Sequence, residues 1–105
     1  MWVCFSNAFV SAVADLKRPG MLKVRARKRE HLARLFPDAQ ITASSTTDYR
    51  YRVFVTKTHF SELLARKAME IDYGNFKSSV KDRRLHDLYL DFWRLHLNYQ
   101  EEKPA

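Results

Sequence analysis

Two segments of the chain alternate apolar and polar residues with the period of a β-strand. In Met21–Arg27 the apolar members are Leu22, Val24 and Ala26, and the polar members are Lys23, Arg25 and Arg27. Tyr49–Lys57 is rich in aromatic and β-branched residues; one side carries Tyr49, Tyr51, Val53 and Val55, and the other carries Arg50, Arg52, Phe54 and Thr56. The alternation predicts two strands, each with one buried side and one polar, largely cationic side.

Shorter apolar runs predict three further strands. Trp2–Phe5 and Ala8–Asp15 are separated by the turn formers Ser6 and Asn7, which favours a hairpin over the weaker alternative of a helix. Gln40–Ser44 is the third candidate. The Lys-Arg-Pro-Gly sequence at 17–20 predicts a turn, because proline presets φ and glycine accepts a positive φ.

Two helices are predicted from apolar residues at helical spacing. The first spans Lys28–Phe36 and is ended by Pro37. The second has Thr58 as its N-cap and runs to about Glu70. A short helical turn is also predicted at Phe76–Val80.

The last helix is predicted from the N-cap Asp82 to about Tyr99. Its expected buried stripe consists of Leu85, Leu88, Tyr89, Phe92, Leu95, His96 and Tyr99. A second, narrower apolar edge consists of His86, Leu90, Trp93 and Leu97. This edge has two interpretations: a surface for a dimer or another partner, or a surface that packs against the N-terminal hairpin.

This order of elements predicts an α+β fold. It consists of an antiparallel sheet of about five strands, with two long helices and one short helix packed on one face. We expect one domain over residues 1–100 and a frayed polar tail over 101–105. The residues expected to face the helices are Leu22, Val24, Tyr51, Val53 and Val55; those expected to be largely buried are Leu63, Leu88 and Phe92.

Composition excludes several classes of protein. With 46% hydrophobic residues in a chain of 105, the composition is globular rather than disordered. Two glycines are too few for a glycine-rich phosphate loop, and one cysteine excludes an internal disulfide framework and a cysteine-based zinc site. No apolar run is long enough for a transmembrane helix, and the N-terminus lacks the positive region of a signal peptide. We therefore expect a cytoplasmic protein.

The positive charge is concentrated in one segment. The chain has a formal net charge of +7, and residues 17–34 hold eight Lys or Arg and a single acid, Glu30. The rest of the chain is balanced, so this segment accounts for the whole excess. Such clustering indicates an anionic partner: nucleic acid, an acidic protein surface or a phosphorylated ligand.

Strand periodicity gathers much of this charge on one side of the predicted sheet. The candidate nucleic-acid-binding residues are Lys23, Arg25, Arg27, Lys28, Arg29, Arg50, Arg52 and Phe54. Arginine can bind phosphate through two hydrogen bonds, and an aromatic ring among the cations can stack on a base. Lys28 and Arg29 fall in the first turn of an uncapped helix, a second possible anion site. The alternative is a solvated face that shields the edge of the sheet.

No arrangement of residues indicates catalysis, a metal or a cofactor. The histidines, His31, His59, His86 and His96, are scattered and lack metal-ligand spacing. Cys4 lies in an apolar strand and is expected to be a small buried residue. In the loop Asp72–Lys77, turn and cap hydrogen bonds explain the polar residues better than a binding site does, with Tyr73 and Phe76 anchoring the loop.

Two short motifs resemble those of a family of uncharacterised bacterial and phage proteins of about this length. These are Asp-Tyr-Arg-Tyr-Arg at 48–52 and Ile-Asp-Tyr-Gly-Asn-Phe-Lys at 71–77. The opening Met1-Trp2 and the aromatic-rich last helix around Trp93 are also similar. The resemblance implies a bacterial or phage cytosolic setting. The family has no known activity, so no residue inherits a role.

Two functional hypotheses follow. The first is a small, basic, non-enzymatic accessory protein that binds a polyanion, above all DNA or RNA, through its cationic sheet face. The alternative is a phage or mobile-element protein that binds and inhibits a host protein complex, like an anti-CRISPR inhibitor. The oligomeric state is open, with a dimer through the last helix as one option.

Overall fold

The computed structural model describes residues 1–102 and confirms the α+β class. The strands are β1 (Trp2–Phe5), β2 (Ala8–Ala14), β3 (Met21–Ala26), β4 (Thr42–Ala43) and β5 (Tyr51–Thr56). The helices are α1 (Arg29–Leu35), α2 (Lys57–Met69), α3 (Phe76–Ser79) and α4 (Arg83–Glu101). The strands form one antiparallel sheet in the order β1-β2-β3-β5-β4.

Both predicted turns between the first three strands are present. β1 and β2 form a hairpin in which Phe5 pairs with Ala8 across Ser6 and Asn7. In the turn between β2 and β3, Gly20 has a φ of 81°, a conformation that disfavours residues with a Cβ. These turns place the three strands side by side in chain order.

The main core lies between the sheet and the helices α1 and α2. As predicted, β3 pairs with β5, and the pairs Leu22–Val55, Val24–Val53 and Ala26–Tyr51 share the core side. Helix residues that pack on them include Leu32, Leu35, Phe60 and Leu63, all buried. Each such side chain contributes about 1.5–3 kcal/mol by leaving water.

A second, smaller core lies around Phe9. It is formed by Phe9, Val80, Leu85 and Tyr89, with Phe76 and Phe92 packed at its edge. Phe9 alternates along β2 with Ala8 and Val10, which belong to the main core, so it points to the other side of the sheet. The expected placement of the helices on one face therefore describes α1 and α2, whereas α4 packs on the opposite side of the β1–β2 hairpin. The reason is that β2 is apolar on both sides and needs cover on both.

Helix ends agree closely with the cap chemistry. Asp82 caps α4 as predicted, accepting from the backbone N–H groups of Arg84 and Leu85. In α2, the cap is Thr56 rather than the predicted Thr58: its Oγ1 accepts from the backbone N–H of His59 at 3.0 Å. Both threonines are competent caps, but α2 begins directly where β5 ends, which selects Thr56.

The predicted buried stripe of α4 holds only in its first half. Leu85 and Tyr89 are buried and Phe92 is partly buried, but Leu88 is 38% exposed, Leu95 62% and Tyr99 81%. His96 is exposed as well. The prediction of burial for Leu88, Leu95, His96 and Tyr99 is therefore wrong, whereas Leu63 is buried as predicted.

The exposure arises because α4 is longer than the surface it covers. The radius of gyration is 15.2 Å, above the value of about 13 Å for a compact chain of 100 residues. Helix α4 also continues past its predicted end at about Tyr99, through Gln100 and Glu101. The rest of the predicted tail beyond residue 102 lies outside the described residues.

Candidate nucleic-acid interface

The sheet side opposite the main core has an open half that carries cations. Lys23 and Arg25 of β3 pair with Phe54 and Arg52 of β5, in the pairs Lys23–Phe54 and Arg25–Arg52. These four alternate with the core residues Val24 and Val53, so they share the opposite side. We call these four residues the cationic face.

Arg25 and Arg52 lie directly opposite each other, which brings two like charges together. Unpaired, such an arrangement is destabilising. Hydrogen bonds hold the two guanidinium groups: Nη2 of Arg25 donates to Ser11 Oγ at 2.8 Å, and Nη2 of Arg52 donates to Thr47 Oγ1 at 2.6 Å and to the backbone oxygen of Tyr49 at 3.1 Å. Among residues 1–102 neither group forms a salt bridge with a carboxylate. The two guanidinium groups are held in place without a direct carboxylate partner, although the charge of Arg25 acts at longer range on Asp48.

The buried ring of Tyr49 contacts the guanidinium groups of two arginines. The guanidinium carbons of Arg25 and Arg27 lie 4.6 and 4.1 Å from the centroid of its ring, which is cation–π geometry. The side chain was expected on the core-facing side with Tyr51. It differs because β5 begins at Tyr51, so the alternation does not extend to Tyr49. The alternation in the sequence places both tyrosines on the same side of the strand and so could not predict this difference.

Arg27 is less available than the predicted site required. Its Nη1 lies 2.7 Å from Asp48 Oδ1, and it also donates to the backbone oxygen of Asp48. The hydrogen bond from Arg27 holds the pKa of the Asp48 carboxyl below its usual value. The charge of Arg27 is thus largely compensated within the chain.

Arg18, in the turn between β2 and β3, lies beside the cationic face. The Arg18 guanidinium carbon lies 4.6 Å from the centroid of the Phe54 ring, which is cation–π geometry. A groove of about 730 Å³ opens here, lined by Arg18, Lys23, Arg52 and Phe54 among others. It also contains an acid, since the buried Asp15 Oδ2 lies 3.5 Å from Arg18 Nε. Arg18 belongs to the charged segment, but its position on a turn hid it from the strand periodicity.

The other predicted cations lie at the ends of these strands. Lys28, Arg29 and Arg50 are exposed, and no side-chain hydrogen bond or ion pair joins them to another residue of 1–102. Lys28 is the N-cap residue of α1 and supplies no side-chain cap. Because α1 has only seven residues, its N-terminus adds little to an anion site beyond these charges.

One cation of the charged segment serves a structural role instead. Arg34 Nη1 lies 3.3 Å from Asp82 Oδ2 and 2.9 Å from the backbone oxygen of Asn7. It thereby ties α1 to the start of α4. The pKa of Asp82 lies below its usual value, mainly because its carboxylate accepts a hydrogen bond from the backbone N–H of Leu85. The hydrogen bond and the positive charge of Arg34 lower it further.

Histidine and cysteine side chains do not converge on a metal site in the described part of the chain: no group of three His, Cys, Asp or Glu is suitably placed there. His31 is buried, and its Nδ1 accepts from the backbone N–H of Phe9 at 3.3 Å. Burial lowers the pKa of His31, which keeps the ring neutral for that bond. Cys4 is exposed, contrary to the expectation of burial.

The loop Asp72–Lys77 is mostly held by the kinds of contact expected of it. Asn75 Oδ1 accepts from the backbone N–H of Ser78 and caps α3. The ring of Tyr73 packs on Phe76, which packs in turn on the second core. Asp72 differs, because it is exposed and forms no side-chain hydrogen bond within residues 1–102.

Comparison with known proteins adds no identity. No known family model, no curated protein and no solved structure matches the chain. Among the helices of residues 1–102, none is long and apolar enough to cross a membrane.

Proposed function

We propose that the protein is a small non-enzymatic accessory protein that binds the phosphate backbone of nucleic acid through the cationic face. The observation that carries this proposal is the pair Arg25–Arg52. These two guanidinium groups are adjacent, held by neutral oxygens and free of carboxylate partners. Phosphate oxygens are suitable ligands for such groups, because arginine offers planar, paired donors.

The hydrogen bonds of the pair leave donors for a ligand. Each arginine uses Nη2 for its contacts with Ser11, Thr47 and Tyr49, and Nη1 has no partner among residues 1–102. Side chains held in this way lose less conformational entropy when a ligand binds. The arrangement thus favours binding of an anion over a purely solvated surface.

Stability alone does not account for this arrangement. The Nε atoms of Arg25 and Arg52 are buried without hydrogen-bond partners, and an unsatisfied buried donor costs about 1–3 kcal/mol. Natural proteins tolerate such local costs at functional sites. Two like charges in one cross-strand pair, each with a buried unpaired donor, are therefore better explained by binding than by folding.

The surroundings extend the surface beyond two phosphates. Lys23 and Arg18 lie on one side of the pair, at the groove beside Phe54, and the exposed Arg50 precedes Arg52 in the chain. Arg18, whose guanidinium carbon lies 4.6 Å from the centroid of the Phe54 ring, and Phe54 itself offer groups on which a base can stack. This stacking would favour single strands over duplex.

The test is fluorescence anisotropy with labelled DNA and RNA, single-stranded and duplex, from about 50 to about 300 mM salt. If five phosphates are bound, the slope of log affinity against log salt should be about −3.5 for single strands or about −4.5 for duplex. The double variant Arg25→Ala/Arg52→Ala should bind more weakly and show a slope closer to zero by about 1.4 for single strands or about 1.8 for duplex.

A matched control distinguishes binding through the cationic face from attraction by the net charge of the protein. Arg66→Ala/Lys81→Ala removes two exposed cations that do not belong to the cationic face and take part in no ion pair within residues 1–102. It should keep the wild-type affinity and slope. Equal loss in both double variants would mean that net charge alone attracts the nucleic acid. Absence of binding at the lowest salt would reject the proposal and assign the cationic face to an acidic protein partner, as an inhibitor of a host complex requires.

A further inference from the structure

The second half of α4 carries apolar side chains that the rest of the described chain leaves uncovered. Leu95 and Tyr99 are 62% and 81% exposed, and Trp93 is 47% exposed. Single exposed apolar residues are common on proteins, but several on one helix end indicate a contact surface. This surface is separate from the cationic face.

The exposed residues continue a regular seam. Its members, Leu85, Leu88, Phe92, Leu95 and Tyr99, follow one another at steps of three and four residues. This is the spacing of the core positions of a coiled coil, in which a second helix packs along the seam. The first part of the seam packs near Phe9, and the later part extends beyond the sheet. A partner helix that runs alongside the whole of α4 would cover that later part and also Leu88, which is 38% exposed near the start of the helix.

The charges of α4 are reversed relative to the helix dipole. The first turn contains Arg83 and Arg84 and no acid, and the last turn contains Glu101 and no base, with Glu102 following as the C-cap residue. Cations at an N-terminus and acids at a C-terminus each weaken an isolated helix, because they oppose the helix dipole. Asp82 at the N-cap offsets part of this, but its carboxylate also binds Arg34.

We propose that two copies of the chain associate through α4, with the two helices antiparallel along this seam. In this arrangement Glu101 and Glu102 of one copy lie beside Arg83 and Arg84 of the second copy. A two-fold axis makes the same contact twice. The opposed helix dipoles and the reversed terminal charges then both become favourable. A parallel pair would place arginine against arginine and glutamate against glutamate.

The beginning of α4 has room for the acidic end of a second helix. A cleft of about 130 Å³ lies there, with Leu85 and Leu88 on its apolar side and Lys28 and Arg84 among its cations. Glu30 and Asp82 also line this cleft, and Asp82 is paired with Arg34. Lys28 and Arg84 have no acidic partner within residues 1–102, so they are available to glutamates of the second copy.

The first test is light scattering after size exclusion on the full chain, from about 10 µM to about 1 mM, the range of weak specific complexes. The wild type should shift from monomer to dimer. Leu95→Glu should weaken the dimer at least about tenfold, because it places a charge in the seam. Since Leu95 is mostly exposed, this variant should retain the far-UV circular dichroism of the wild type.

Charge reversal then tests the antiparallel orientation. Arg83→Glu/Arg84→Glu and Glu101→Arg/Glu102→Arg should each weaken the dimer, and a mixture of the two variants should restore it as a heterodimer. The chain carrying all four changes should also dimerise. In a parallel dimer, neither double variant would weaken association, because like charges already face each other.

The control is Lys57→Glu/Arg66→Glu, which reverses two exposed charges on α2 and should leave the dimer intact. The proposal is overturned by a wild type that stays monomeric throughout the range. It is equally overturned by a dimer that Leu95→Glu does not weaken, or by one that is indifferent to both charge reversals.

Discussion

The two halves of the sheet side that faces away from the main core differ in what covers them. On the β1–β2 half, Phe9 is buried beneath α4, and Tyr89 of α4 donates to the backbone oxygens of Phe5 and Ala8, each at 2.8 Å. On the β3–β5 half, Arg25 and Arg52 face outward with no helix above them. One sheet side therefore combines a second core with a charged surface.

The difference follows from the cost of burying charge. A helix over the β1–β2 half removes apolar groups such as Phe9 from water, which is favourable. A helix over Lys23, Arg25 and Arg52 would bury three cations without partners, which is prohibitive. The alternating positions of each strand thus decide where α4 packs, and the open half remains accessible to an anionic ligand.

The largest expected effect lies in the covered half. Tyr89→Ala removes a buried ring and the hydroxyl that binds the hairpin backbone, so the free energy of unfolding should fall by about 3–5 kcal/mol. Urea denaturation followed by circular dichroism measures it. The milder Tyr89→Phe removes the hydroxyl alone and should lose about 1–3 kcal/mol. If Tyr89→Ala were neutral, α4 would not be packed on the sheet as described.

Phe92→Ala should have a smaller effect than Tyr89→Ala. Phe92 lies at the edge of the second core, with its ring centroid 5.4 Å from that of Phe9, and is only partly buried. A fully buried phenylalanine costs about 3–5 kcal/mol on truncation, and a partly buried one about 1–3 kcal/mol. The same urea denaturation gives the comparison. A loss equal to that of Tyr89→Ala would place Phe92 in the centre of the core.

These elements differ in how far the sequence could predict them. The strands β3 and β5 were predictable because strict alternation specifies both the strand and its buried side. The burial of Leu95 and Tyr99 was predicted wrongly, since periodicity tells which helix residues share a side but not how far the neighbouring sheet extends. The role of Tyr49 was also hidden, because it lies before β5 begins.

The candidate site was predictable in part for the same reason. Periodicity placed Lys23, Arg25, Arg52 and Phe54 on one side of the sheet. It could not foresee that Asp48 would compensate Arg27, or that Arg18 would stack on Phe54, because these contacts depend on how turns and loops fold back. Contacts of that kind come from tertiary structure and leave no local pattern.

The pH dependence of stability tests the hydrogen bond that joins His31 of α1 to the backbone of Phe9 in the covered half. His31 accepts from the N–H of Phe9 only when neutral. Burial is the main cause of the lowered pKa of His31. Below the unfolded pKa of about 6.5 the unfolded state binds more protons. Stability should therefore fall as the pH decreases from there to the folded pKa, by up to about 1.4 kcal/mol per unit.

The variant His31→Asn provides the control for this titration. Asparagine keeps a short side-chain acceptor but does not titrate, so its stability should change less between about pH 7.5 and about pH 5. The lowered pKa values of Asp48 and Asp82 act at still lower pH and do not interfere. An equal decrease of stability in wild type and variant would assign the pH dependence to other groups.

The most direct measurement of the central claim is the mapping of amide chemical shifts by NMR during titration with a short single-stranded oligonucleotide. We expect changes at Ser11, Lys23, Arg25, Arg52 and Phe54, and no changes at α2 residues such as Leu63 and Leu64. Changes that map to α2, or no changes at low salt, would contradict binding through the cationic face.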